Sequence, residues 1–307
     1  MKTPMRLLLR AFRLRLDTGC DTRCFFCKSW QAKPVRVDAD AFFEGVMQAT
    51  RRGAKTVAIS GGEPLMSPLL PMALKALRSS GVDGYVTTNG RLLRESVPLL
   101  AGHGVTAVHV SLEQLTGSTR IGSKIAVEPA TVIAGIDTAL AAGLRVELNS
   151  LILRGHNFSK RHLDDLLKFS RDRGADLCLL DLLYGWNPDL RKYHVAYAEM
   201  RDSLAEWYGS PEHLVERSGT IQTRLDCEGV SVFLRDYRAI PNANICGECG
   251  KPGSLGLTPP QMSTAGTLSV CWHNRSTLGG TAESLAESFD NVYGLLDRDE
   301  ALSWTRT

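Results

Sequence analysis

The feature that most constrains the fold is an alternation. Short apolar runs recur along the first two-thirds of the chain, each followed by a helical pattern. The runs are "RLRLD" (13–17), "TVAIS" (56–60), "GYVTT" (84–88), "AVHVSLE" (107–113), "LRVELNSLI" (144–152) and "DLCLLDLL" (176–183). Between them lie "ADAFFEGVMQATRRG", stopped by Gly53, a segment opened by Ser67 and Pro68, and helical stretches over 94–102, 129–142 and 159–173, the last two closed by Gly143 and Gly174. Apolar strands separated by helices of roughly 10–15 residues predict a parallel sheet. Right-handed crossovers curl such units into a barrel or a doubly wound sheet. In both architectures ligands bind just beyond the strand ends. Here those positions carry "DTGC", "SGGEP", "TTNG", "SLEQ", "NS" and "YGW".

Beyond Leu183 the rhythm changes. One more helix is expected over 193–209, then a Gly/Pro/Ser-rich segment with short strands such as "VSVFL" (230–234), then a closing helix in "SLAESFDNVYGLLDRDEALSW". The expected organisation is a barrel over 1–185, a helical linker over 186–220 and a small C-terminal module over 221–307.

Composition narrows the class. Among 307 residues, 43% are hydrophobic, ordinary for a globular protein, and no window approaches the ~18 apolar residues of a membrane span. The basic opening "MKTPMRLLLRAFRLRL" is broken by Arg10, Arg13 and Arg15. It reads as a lead-in and first strand rather than a signal peptide, so a reducing cytoplasm is expected. The net charge of +3 is spread out, and the aromatic content of 7% supplies no stacking platform, which gives no positive reason for nucleic-acid binding. Eight cysteines stand at 20, 24, 27, 178, 227, 246, 249 and 271. Such clustering in a reducing compartment points to metal ligands rather than disulfides. Cys178, among apolar neighbours in mid-strand, is read as a core thiol.

"CDTRCFFC" (20–27) places Cys20, Cys24 and Cys27 in a C-x3-C-x2-C spacing directly after the first strand. Three thiolates can bind three irons of a [4Fe–4S] cube and leave the fourth for another ligand. A zinc site with a distant fourth ligand is the alternative, although zinc knuckles usually pair two C-x-x-C units.

With an aromatic residue before the third cysteine, this motif resembles the radical S-adenosylmethionine (SAM) superfamily, and the resemblance extends over about residues 10–185. It implies a partial (β/α)6 barrel in which Cys20, Cys24 and Cys27 hold the cluster and Phe26 lies beside the adenine. The "GGEP" turn, Gly61, Gly62, Glu63 and Pro64, resembles the family's clamp on the methionine ammonium. Thr88 in "TTNG" and Ser111 in "VSLE" would contact the amino acid or ribose, with Asn149 and Leu183 as weaker matches. Glu113, where relatives often have aspartate, is the candidate catalytic residue, with ribose binding as the alternative role. Arg120 and Arg154 could hold an anionic group, and Trp186 and Trp272 could line a pocket. The implied chemistry is reductive SAM cleavage and hydrogen-atom abstraction by a 5′-deoxyadenosyl radical.

"CGEC" (246–249) and "AGTLSVC" (265–271) resemble the auxiliary-cluster modules called SPASM and Twitch, and the shorter Twitch form fits better. A second [4Fe–4S] cluster on Cys246, Cys249 and Cys271 is implied, with Cys227 as candidate fourth ligand; a zinc site remains the alternative. "QMSTAGTLSVCW" (261–272) is similar to the hairpin of the molybdenum-cofactor GTP cyclases. Gly250 stands where that family has asparagine, its triphosphate-gripping arginines are absent with Gln261 in one such place, and the terminal glycine pair is missing, so GTP is not the expected substrate.

The expected function is a radical SAM enzyme acting on a small molecule in natural-product or cofactor biosynthesis, served by a low-potential donor such as flavodoxin or ferredoxin, with no membrane partner. A peptide-modifying maturase is the alternative; it is ranked second because no leader-binding domain is recognisable. A non-catalytic iron–sulfur or zinc protein is the alternative of another class.

Overall fold

The computed structural model describes residues 5–27, 35–184, 187–235, 258–270 and 284–297. Six parallel strands pair in chain order: β1 (Ala11–Asp17), β2 (Thr56–Gly61), β3 (Asp83–Thr88), β4 (Val105–Ser111), β5 (Arg145–Leu151) and β6 (Asp176–Leu180). Helices α1 (Ala39–Arg51), α2 (Leu70–Ser80), α3 (Leu93–Gly102), α4 (Pro129–Ala141) and α5 (Lys160–Arg173) connect them. This is the sheet of a partial barrel, as the alternation predicts.

The two faces of the strands carry different chemistry because side chains alternate along a strand. Phe12, Leu14 and Leu16 of β1 are buried in one core with Phe42 and Val46 of α1 and Leu74 and Leu77 of α2. Full burial of each such side chain stabilises the fold by roughly 1.5–3 kcal/mol. The alternate positions carry Arg13, Arg15, Tyr85, His109 and Glu147, and face the barrel interior. A separate small cluster of Ala58, Tyr85 and Ala107 lies on this face.

Helix α1 starts where the sequence expects it: Asp38 Oδ1 accepts from Asp40 N and Ala41 N, both at 3.0 Å. The helix expected from Ser67 and Pro68 begins later. A 3-10 turn over Pro64–Met66 comes first, and Ser67 is extended (φ −75°, ψ 129°), as a residue before proline prefers. Helix α2 then opens at Leu70 with Pro71 in its first turn. Likewise 193–209 divides into a 3-10 turn over Pro188–Tyr193 and α6 (Tyr197–Tyr208).

The last third joins both edges of the same sheet. Strand β9 (Val230–Leu234) lies parallel to β6, and β8 (Thr220–Cys227) and β7 (Glu212–Arg217) follow in antiparallel. At the other edge β10 (Gln261–Met262) pairs parallel to β1 and forms a hairpin with β11 (Leu268–Ser269). One eleven-stranded sheet results, and helix α7 (Leu285–Asp297) sets Phe289 5.3 Å from Phe12. The boundary expected at 220/221 falls inside the β7–β8 hairpin. Strand β7, mostly exposed and polar, has no apolar run to announce it.

That hairpin crosses under the N-terminal ends of the barrel strands. Ser218 and Gly219 turn it with positive φ (49° and 70°). A Cβ on Gly219 would stand 2.9 Å from Ala11 Cβ, so only glycine lets the tip seat there. Arg10 pairs with Glu216 at 2.9 Å, and Arg217 reaches Asp176 at 2.8 Å and also Glu147. No helix among the described residues is long and apolar enough to cross a membrane.

Candidate functional site

At the opposite end, the loop after β1 brings its three cysteines to one cavity. Cys20, Cys24 and Cys27 line it with Thr22, Gly62, Thr87, Thr88, Asn89, Ser111 and Arg120. The loop holds its shape through local bonds. Asp17 Oδ1 accepts from Gly19 N at 2.8 Å, and Cys27 N donates to Cys24 O at 3.0 Å. Thr22 Oγ1 lies 3.1 Å from Cys20 Sγ and 3.9 Å from Cys24 Sγ. Burial pushes the Cys20 thiol up, so an electropositive partner is needed to keep it a thiolate.

The "GGEP" turn packs directly on the cysteine loop. Gly62 N donates to Asp17 O and Glu63 N to Gly19 O, each at 2.8 Å. A Cβ on Gly62 would stand 2.0 Å from Gly19 O, so the two loops meet at a distance that only glycine allows. Glu63 is almost fully buried beside the cavity rather than lining it. Its carboxylate accepts from Thr88 Oγ1 and Asn89 N at 2.7 Å and from Leu65 N at 3.1 Å. Burial nevertheless pushes it up to about 7. In this geometry Glu63 braces the ends of β2 and β3.

The remaining expected residues divide. Gly62, Thr88 and Ser111 line the cavity; Phe26, Gly61, Pro64, Asn149 and Leu183 do not. Asn149 is the register partner of Ser111, and its buried Oδ1 takes no hydrogen bond. The hydroxyl of Thr88 is committed to Glu63, whereas the neighbouring Thr87 Oγ1 is buried, faces the cavity and has no hydrogen bond. Thr22, Thr87 and Asn89 line the cavity without having been singled out from the sequence. Threonine on a strand is expected as ordinary β-former, so nothing distinguished Thr87 from Thr88.

Glu113 lies deep behind the cavity and forms an ion pair with Arg120 Nη1. Burial alone would lower Arg120; Glu113 and then the Cys24 and Cys27 thiols outweigh it and hold the guanidinium charged. Arg120 lies 5.4 Å over the Phe26 ring, which in turn meets Phe25 edge-on at 5.3 Å. Arg154 is elsewhere, paired on the surface with Glu199 at 2.5 Å. Cys178 is fully buried and pushed up to about 12, as expected of a core thiol. Cys246, Cys249, Cys271, Trp186 and Trp272 lie outside the described residues. Cys227 is buried at the end of β8, within 3.9 Å of Ser210 Oγ, and its thiol is pushed up to about 11.

These residues fit a cuboidal cluster and its ligand. Three thiols face one cavity without three metal-binding side chains converging on one point among the described residues. Beside them lie a close-packed glycine turn and the unpartnered Thr87 hydroxyl, and on β5, opposite Ser111, is the unpartnered Asn149 carbonyl. A parallel barrel with a three-cysteine cradle at the C-terminal strand ends defines a radical SAM protein. The chain belongs to that family: the Radical SAM superfamily profile matches residues 16–169. It is 30% identical over 295 residues to a probable GTP 3',8-cyclase of Methanothermobacter marburgensis, covering 91% of this chain and 89% of that one. To a GTP 3',8-cyclase of Nautilia profundicola it is 29% identical over 180 residues, spanning 56% of this chain and about half, 55%, of that protein. Streptococcus suis SuiB bound to S-adenosylmethionine shares the fold at TM-score 0.63 and 16% identity, over 85% of this chain and 60% of that one.

Proposed function

We propose that this chain cleaves SAM reductively and uses the product radical to take a hydrogen atom from a small polar molecule. The observation that carries this reading is the single cavity shared by Cys20, Cys24, Cys27, Gly62, Thr87, Ser111 and Arg120. When bound, a [4Fe–4S] cluster and SAM supply a 5′-deoxyadenosyl radical; such chemistry is the cofactor's, and the protein supplies position and shelter. The three cysteines would hold three irons. The Gly62 backbone and the Thr87 and Ser111 hydroxyls, which line the cavity, would bind the amino-acid part of SAM. Phe26 lies outside the cavity and supports Arg120, whose guanidinium stands 5.4 Å over its ring. A flavodoxin or ferredoxin would deliver the electron.

A second cluster on Cys246, Cys249 and Cys271 belongs to the same proposal. The burial of Cys227 at the end of β8, beside Ser210, favours a core role for that residue over ligation. In the test, anaerobically reconstituted protein receives SAM and a low-potential reductant, and 5′-deoxyadenosine is measured. Wild type should form it, and Ala at 20, 24 or 27 should abolish it; undiminished cleavage in such a variant would sink the reading. GTP is assayed in parallel, because the relatives' names make its cyclisation the competing reading. Arginine grips phosphate through paired, charge-assisted bonds, and the arginines of the cyclase pattern are missing around Gln261. No cyclised nucleotide is expected.

A further inference from the structure

The cysteine loop is clasped by a second loop, residues 112–128, which joins β4 to α4. Cys24 and Ser123 form an isolated antiparallel bridge. Around it Arg23 N donates to Ser123 Oγ and Lys124 N to Arg23 O, both at 3.2 Å. Gly122, with a φ of 64°, packs so closely on Phe25 that a Cβ there would stand 2.3 Å from Phe25 Cδ1. Only glycine lets the two loops meet at that point.

This contact sets the side chain of Arg120 against the thiols. Arg120 lines the same cavity as Cys20, Cys24 and Cys27, and its side chain is only 13% exposed. The guanidinium stands 5.4 Å over the ring of Phe26, which lies between Cys24 and Cys27 in the chain. It is hydrogen-bonded to the Cys24 side chain and close enough to Cys27 to feel its charge. From behind, Glu113 holds it in an ion pair, and Glu113 does not line the cavity. Glu113 is itself fixed, because its carbonyl accepts from His162 Nε2 at 2.6 Å and from Asn157 Nδ2 at 3.3 Å. The pair therefore presents its positive end to the sulfurs. A guanidinium does not lose its proton inside a protein, so the charge is permanent.

We infer that Arg120 sets the reduction potential of the cluster held by Cys20, Cys24 and Cys27, by donating a hydrogen bond to the Cys24 sulfur from a fixed cation. The inference rests on the reading of those three cysteines as cluster ligands. Hydrogen bonds to the sulfurs and the local net charge are two of the levers a protein has on such a potential. Reduction by one electron adds one negative charge, and a cation against a ligating sulfur stabilises it. Arg120 thereby makes the cluster easier to reduce.

The test uses the full chain, reconstituted anaerobically and kept free of SAM, so that a grip of Arg120 on SAM cannot contribute. Midpoint potentials are read by redox titration followed by EPR, on the signal that Cys20→Ala removes, in samples of equal iron content. Arg120→Met should shift the midpoint to a more negative value, leaving about tenfold less reduced cluster at a fixed potential, or about 59 mV for a one-electron couple. Arg120→Lys keeps the charge and should lie between Arg120→Met and wild type. An unchanged midpoint in Arg120→Met overturns the inference. So does an Arg120→Lys midpoint shifted as far as that of Arg120→Met, which would mark a packing role alone. Wild type grown on arginine labelled with ¹⁵N in the guanidinium gives a second readout. Its reduced cluster should show ¹⁵N hyperfine coupling in pulsed EPR, and absence of that coupling overturns the inference even if Arg120→Met does not fold. Failure of the underlying reading shows separately, as a wild type with no reducible cluster signal at all.

Discussion

Gly62 shows how much of the site is decided by a missing methyl group. The cysteine loop and the turn after β2 are bonded through Gly62 N and Glu63 N, and no Cβ fits between them. Gly62→Ala must push Gly19 away by an ångström or so, an overpacking that costs roughly 1–3 kcal/mol. The displaced loop carries Cys20, so the variant should fold with a lower thermal midpoint and take up fewer irons per chain on reconstitution. Wild-type iron content in Gly62→Ala would show that the loops can part without disturbing the thiols. The functional reading of "GGEP" was available from its sequence, but the division of labour within it was not. Which of Gly61, Gly62 and Glu63 faces the ligand depends on the angle at which two loops pack, and no local pattern encodes that angle.

At the scale of elements, β1 to β6 and their helices were legible because each has its own hydrophobic period and its own stop signal. The β7–β8 hairpin was not read from the sequence, which marked only the following strand, β9, as "VSVFL". Its first strand is polar and exposed, and its purpose is ionic: Arg217 reaches from the hairpin to Glu147 on β5 and Asp176 on β6. Glu147 is 2% exposed and is held below the usual carboxylate range: burial alone would raise it, but His109 and Arg217 outweigh that effect. Removing one partner of such a buried pair strands the other, which typically costs about 3–5 kcal/mol. Arg217→Met should therefore destabilise the protein by an amount of that order, read as a lower urea midpoint, whereas Arg224→Met, whose partner Asp226 lies two residues along the same strand β8 in a largely exposed pair, should cost under about 1 kcal/mol. Equal effects would mean that the hairpin is not pinned through the barrel floor. In the C-terminal part, Cys246→Ala, Cys249→Ala and Cys271→Ala combined should lower iron from about eight to about four per chain if the second cluster is there. Unchanged iron would remove it from the proposal.

For the molecule as a whole, two buried groups at opposite ends of the barrel set opposed pH dependences. His109 is lowered from 6.5 to about 4, so the native state prefers it neutral. Between those values the unfolded chain binds the extra proton, and stability is lost as pH falls from about 6.5 to about 4. Glu63 is raised from 4.5 to about 7. The native state then holds the extra proton, and stability is lost as pH rises from 4.5 to about 7. Each shift is worth on the order of 3 kcal/mol, at 1.36 kcal/mol per pKa unit. The two windows overlap and their signs oppose, but Glu113, also pushed up to about 7 by burial against the pull of Arg120, adds to the Glu63 side, so these three groups together should lower wild-type stability as pH rises from 4.5 to 6.5. Replacing His109 by Asn leaves the Glu63 arm uncompensated. The urea midpoint of H109N should therefore fall relative to wild type as pH rises across that range. Replacing Glu63 by Gln leaves Glu113 opposed to His109 and should flatten the curve across that range. Parallel profiles for wild type and H109N would mean that Arg13, Arg217 and Arg235 do not reach His109 strongly enough to keep it neutral, and the polar interior of the barrel would then be a wetter place than its geometry indicates.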